Sequence, residues 1–77
     1  MPATTPLPLD KVLQNEFERD IWQAVQQLPL KLRAVVVLRY YHDLSYEAIA
    51  EVLGCAIGTV SSRLHAAHRR LRSTLED

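Results

Sequence analysis

Only one cysteine, Cys55, occurs in the 77 residues. No disulfide can therefore form within the chain, and a CxxC or Cys/His zinc site is excluded by count and spacing. A reducing, cytoplasmic compartment suits such a chain. Proline is absent after Pro29, and glycine is confined to Gly54 and Gly58. From Leu30 onward nothing breaks a helix, which favours an all-α fold. Long apolar runs are missing too. The longest, Ala34 to Leu38, is far too short to cross a bilayer, so no membrane role is expected. The N-terminus has no basic segment leading into an apolar one, so no secretory leader is expected there. A Gly-rich phosphate loop and an acid/base pair are also lacking, and no His or carboxylate constellation surrounds Ser45. Catalysis and a bound cofactor are therefore not expected.

What is present is a core-forming sequence of one domain's length, 48% of it apolar, too apolar for intrinsic disorder. Net charge is zero but unevenly spread. Up to Leu53, five Lys/Arg face seven Asp/Glu, whereas Gly54 to Leu75 holds Arg63, Arg69, Arg70 and Arg72 and no acid. His65 and His68 add to that positive end at lower pH. A basic end on a neutral body suits a reader of an anionic partner, although the same cluster could simply solvate a C-terminal helix and complement its dipole.

Residues 1–9 hold three Pro and two Thr and read as a flexible lead-in, with a domain over 10–77. Asp10 is expected to cap a first helix running to about Gln27, with Val12, Phe17, Ile21, Val25 and Leu28 as its apolar stripe. Trp22 lies beside that stripe. Trp22 and Phe17 read as core or as a contact with a preceding domain. Leu28-Pro29 ends the helix, and Pro29 is expected as the first residue of a second, to about Tyr41. Ala34, Val35, Val37, Leu38 and Tyr41 make that second helix the central one. The run Val35-Val36-Val37 would also suit a strand, but its flanks favour helix. Ser45 is expected to cap a third helix through Leu53, with Glu47 in its first turn and Gly54 ending it. A fourth helix then runs from Ala56 or Ile57 to about Leu75.

The third and fourth helices meet at a short turn containing Gly, with small Ala50 at their close approach. This is a helix-turn-helix layout, whose second helix can lie in a DNA major groove. At about 100° per residue, Ile57, Val60, Leu64, Ala67, Leu71 and Leu75 share one face of the fourth helix. Ser62, Ala66, Arg69 and Ser73 point the opposite way, flanked by Thr59, His65 and Arg70. Small polar residues near a helix N-terminus can approach phosphates and base edges, and Arg further along can reach phosphate or guanine.

Three stretches resemble region 4 of the extracytoplasmic-function (ECF) sigma factors of bacterial RNA polymerase. The first is Leu28-Pro29 followed by Arg33-Ala34-Val35-Val36-Val37-Leu38-Arg39-Tyr40-Tyr41. The second is Leu44-Ser45-Tyr46-Glu47-Ala48-Ile49-Ala50-Glu51-Val52-Leu53-Gly54-Cys55. The third is Gly58-Thr59-Val60-Ser61-Ser62-Arg63-Leu64-His65 with Ala67-His68-Arg69-Arg70-Leu71. The resemblance implies a four-helix domain ending in a helix-turn-helix on a homeodomain-like or winged-helix-like three-helical core. It further implies binding to the −35 promoter element as double-stranded DNA, docking on the β flap of the RNA polymerase core, and sequestration by an anti-sigma factor, with the domain a monomer. Carried over by position, Gly58, Thr59, Ser61, Ser62, Arg63, His65 and Ala66 meet DNA, and Tyr46 lies near its backbone. Arg69 and Arg70 complete the expected interface.

The chain departs from the family at several positions. Cations are common in the family where Ser61, Ala66 and His68 stand here, a Ser or Pro commonly stands at Ala56, and a Glu is usual at Ala48. Fewer cations on a phosphate-contacting face mean weaker binding, so the isolated domain is expected to bind DNA weakly. An excised part of a longer sigma factor is expected, because nothing here would melt a −10 element.

Other readings stay beside these. Arg63 could pair with Glu47 or Glu51 rather than touch DNA. His65 and His68 are spaced for a metal but lack a third ligand, so they read as surface histidines. Cys55 reads as a small turn or buried residue, not a redox sensor. Response-regulator output domains share the motif but usually carry Thr-Val-x-x-His, against Thr59-Val60-Ser61-Ser62-Arg63 here. A protein-interaction module with the same fold and lost DNA binding is the other alternative.

Overall fold

A computed structural model describes the backbone of residues 19–76 and the side chains of residues 19–75. The expected lead-in, the Asp10 cap, Val12 and Phe17 lie outside the described residues. Helix α1, described over 19–26, turns Ala24 and Val25 into the core with Ile21 half-buried beside them. Gln27 and Leu28 donate to the carbonyls of Ala24 and Val25, both at 3.1 Å, and so close the helix. Leu28 is buried as its stripe requires. Trp22 is not core: it is 42% exposed, and its ring meets Tyr41 edge-on at 5.0 Å.

Helix α2 spans Leu30–Val36, with Pro29 as its N-cap at φ −54° and ψ 150°. The expected place of Pro29 inside the helix is therefore corrected by one residue. Its ring fixes a helix-compatible φ, but the chain must turn sharply out of α1, and an extended ψ achieves that. Its carbonyl still accepts the first helical bonds, from Leu32 at 3.0 Å and Arg33 at 2.9 Å. The central role holds, since Val35 and Val36 are fully buried and the three valines are helical, not strand.

The last turn of this helix widens into a π-helical segment, Val37–Tyr41, with His42 donating to Val37 five residues back at 3.2 Å. A π turn accommodates an extra residue and rotates the side chains beyond it about the helix axis. That rotation carries Tyr41 off the apolar face to 50% exposure, where regular helical spacing would turn it inward.

Helix α3, Tyr46–Leu53, begins as its sequence dictates. The Ser45 Oγ accepts from the Ala48 N–H at 3.1 Å, satisfying one of the free N-terminal donors, and Glu47 places its charge in the first turn. Gly54 takes the left-handed conformation, φ 66° and ψ 39°. Cys55 then donates to Ala50 at 3.0 Å, the 6→1 bond of a Schellman ending. After the turn 54–56, helix α4 runs over Ile57–Glu76, 20 residues or about 30 Å. Val60, Leu64 and Ala67 are fully buried against Ile49 and Ala50 of α3 and the valines of α2. Ile57 and Leu75 lie on the same face yet stay 49% and 44% exposed, Leu75 beside Asp20 and Gln23 of α1. Among the described residues the chain is all-helical, with four helices, no strand, and α3–turn–α4 as a helix-turn-helix. None of these helices is long and apolar enough to cross a membrane.

Candidate nucleic-acid interface

The face of α4 opposite its buried stripe presents the expected residues, though unequally. Gly58, Ser61, Ser62, His65, Arg69 and Arg70 are exposed, while Thr59, Arg63 and Ala66 are half-buried. Ala56 cannot cap α4 with a side chain, so its carbonyl alone receives Thr59 at 3.0 Å and Val60 at 3.2 Å. The N–H groups of Ile57 and Gly58, at the very start of α4, have no partner within the helix, the kind of donors an external acceptor can use.

Gly58 is informative because nothing among the described residues requires it. Its φ is not left-handed, and a Cβ built there meets no atom within 4 Å. A glycine in a helix costs stability relative to alanine. A glycine without an internal reason, on an exposed helix start, fits a site where something from outside comes close.

The arginines diverge. Arg69 and Arg70 border a shallow depression of about 340 Å³ with Ala66 and Ser73. Arg70 also flanks a recess against α1, beside Ala24, Gln27 and Thr74. Arg63, half-buried, lines a groove of about 360 Å³ with Leu30, Lys31, Ala34, Leu53 and Cys55. Arg63 thus lies beside the helix-turn-helix turn rather than on the outermost line of α4, and Cys55 is half-buried in that same groove.

Three contacts across helices escape any spacing argument. The Tyr40 hydroxyl and His68 Nε2 are hydrogen-bonded at 2.7 Å, with their ring centres 5.6 Å apart. His68 is the surface histidine its spacing suggests, and it also bridges the end of α2 to α4. Arg39 donates from Nη1 to the Leu44 carbonyl at 3.0 Å, and its Cζ lies 5.3 Å from the centre of the Tyr46 ring. Tyr46 itself is exposed at the start of α3. No group of three or more His, Cys, Asp or Glu that could hold a metal occurs among the described residues.

Comparison with known proteins adds to this geometry. The family model "Sigma-70, region 4" matches residues 18–71. The chain is 41% identical over 71 residues to the ECF RNA polymerase sigma factor SigW of Bacillus subtilis, covering 92% of this chain and 38% of that protein. It is 41% identical over 69 residues to the RNA polymerase sigma-H factor of Pseudomonas aeruginosa, covering 90% and 36%. It is 39% identical over 75 residues to the ECF RNA polymerase sigma factor SigE of Mycolicibacterium smegmatis, covering 97% and 29%. The chain therefore spans well under half the length of these relatives.

Proposed function

Because this chain belongs to the sigma-70 region 4 family, we propose that its helix-turn-helix recognises promoter DNA in transcription initiation, reading the −35 element as duplex. In this reading α4 enters the major groove with Gly58, Thr59, Ser61, Ser62, His65 and Ala66 toward the bases and phosphates. Arg63, Arg69 and Arg70 supply charge from its sides, and Tyr46 touches the backbone from α3. One observation carries the reading: α4 presents an outward face of small and basic residues, with no acid between Gly54 and Leu75. The domain would work in the cytoplasm as one part of a longer sigma factor. The β flap of the polymerase core and an anti-sigma factor would be its protein partners, and it would act as a monomer.

Fluorescence anisotropy with random duplexes and with duplexes carrying candidate −35 elements tests this. If about three cations reach phosphate, affinity falls roughly 40-fold for a fourfold rise in salt. Arg63→Ala and Ser62→Ala should weaken binding, and the weakening should depend on sequence. No binding to any duplex at low salt by a folded domain would sink the proposal. A protein-docking module is the second reading. It is favoured by His68 being engaged with Tyr40 and by half-buried Arg63 lining the groove at the turn, which together thin the cations on the outward face.

A further inference from the structure

The connection between α2 and α3 is unusually constrained for its length. It runs from His42 to Ser45 and contains Asp43 at φ 59°, a left-handed conformation that a non-glycine residue adopts at a cost. Local preference alone does not hold such a turn. The Leu44 N–H donates to the Leu38 carbonyl at 3.1 Å, and the Leu44 carbonyl accepts from Arg39 at 3.0 Å. Leu44 is thus held through both of its backbone polar groups by the end of the α2 helix. The same guanidinium then extends over the face of the Tyr46 ring at 5.3 Å. Arg39, itself half-buried, bridges the turn and the first residue of the next helix.

We propose that Arg39 is a positioning residue for DNA binding, acting through Tyr46. It fixes the start of α3 and the plane of the Tyr46 ring, so that the exposed phenol is presented to the DNA backbone in one orientation. The inference rests on the DNA-binding reading above. Arginine suits the task because its planar fork can bond a carbonyl with one N–H while its flat face covers a ring. The compact ammonium of lysine cannot do both. With one edge bonded and one face covered, the guanidinium is committed inside the domain and is poorly placed to serve as a phosphate contact.

The test compares the full chain with Arg39→Lys, Arg39→Gln, Tyr46→Phe, Tyr46→Leu and the Arg39→Lys/Tyr46→Leu double variant. Circular dichroism checks folding, and anisotropy on the tightest-binding duplex is measured across a salt series. Arg39→Lys keeps the charge, yet should lower affinity about tenfold with an unchanged salt slope. Its loss should not add to that of Tyr46→Leu. Tyr46→Phe should lose affinity while keeping the upfield ring-current shift of the Arg39 side-chain protons, which Tyr46→Leu should abolish. That pair of results holds the proposal to account even if Arg39→Lys fails to fold. Wild-type binding by Arg39→Lys, with the salt slope reduced by about 0.9 in Arg39→Gln, would make Arg39 a direct phosphate contact and overturn the proposal. Additive losses, or a Tyr46→Phe that binds as tightly as wild type, would overturn it as well. In each of these cases the wild type still binds DNA, whereas a wild type that binds no duplex sinks the DNA-binding reading itself.

Discussion

Replacing Gly58 by alanine should move stability and DNA affinity in opposite directions. Gly58 is the second residue of α4, its φ is not left-handed, and a Cβ there meets nothing within 4 Å. Alanine therefore fits without strain and restricts the unfolded chain more than glycine does. In a helix interior the exchange is worth about 0.5–1 kcal/mol. The first turn has fewer helical bonds to secure, so the lower end, about 0.5 kcal/mol, applies here. For a chain of this size that raises the thermal midpoint by roughly 2–4 °C. The added methyl projects into the space where the proposed interface brings DNA against the helix start. Losing that approach by even an ångström should cost about tenfold in affinity, near 1.4 kcal/mol. Thermal circular dichroism and duplex anisotropy on the same preparation measure both effects. A raised midpoint with unchanged affinity would show that nothing approaches Gly58 closely, and the interface would have to be redrawn away from the N-terminus of α4. A lowered midpoint would refute the steric reasoning at its first step.

Two further perturbations probe how the helix-turn-helix is held in place. Gly54→Ala puts a Cβ on a left-handed residue at φ 66°; it should destabilise the domain by about 1 kcal/mol, with Gly54→Asn milder, as read from urea midpoints at constant m-value. Tyr40→Phe and His68→Ala each remove one half of the 2.7 Å bond between α2 and α4 and should cost about 0.5–1 kcal/mol apiece. The double variant should lose little more than either single one, and strict additivity would mean that the strut is not formed in solution.

The fold is readable where its signals are local. The Ser45 cap, the Gly54 ending, the break at Leu28-Pro29 and the stripe Val60, Leu64, Ala67 each depend on residues within a few positions of one another, and the structure has them all. The misplacements have a different origin. Nothing in a run of Val, Leu and Tyr announces that the backbone will slip to i→i−5 bonding, because that slip is settled by how α2 must meet the turn before α3. Once it occurs, Tyr41 leaves the core and becomes the edge partner of Trp22. Ile57 and Leu75 stay exposed for another reason: periodicity sorts residues by face and does not say how closely neighbouring helices cover each end of that face.

The same limit governs the candidate site and changes what its charge means. Four arginines between Gly54 and Leu75 amount to a +4 face only if all of them point one way. Arg69 is exposed, Arg70 is shared with the recess against α1, and half-buried Arg63 lines the groove beside Leu30 and Lys31. His68 is joined to Tyr40. The number of cations in reach of phosphate is therefore smaller than the formal charge of the helix. Sequence-reading residues can still be complete while the non-specific electrostatic part of binding is weak. On the proposed reading, such a domain would gain from a second attachment that raises its effective concentration at the DNA, as the remainder of a longer protein or a polymerase partner would provide. Under the proposed function, α4 would supply discrimination, and most of the affinity would have to come from elsewhere.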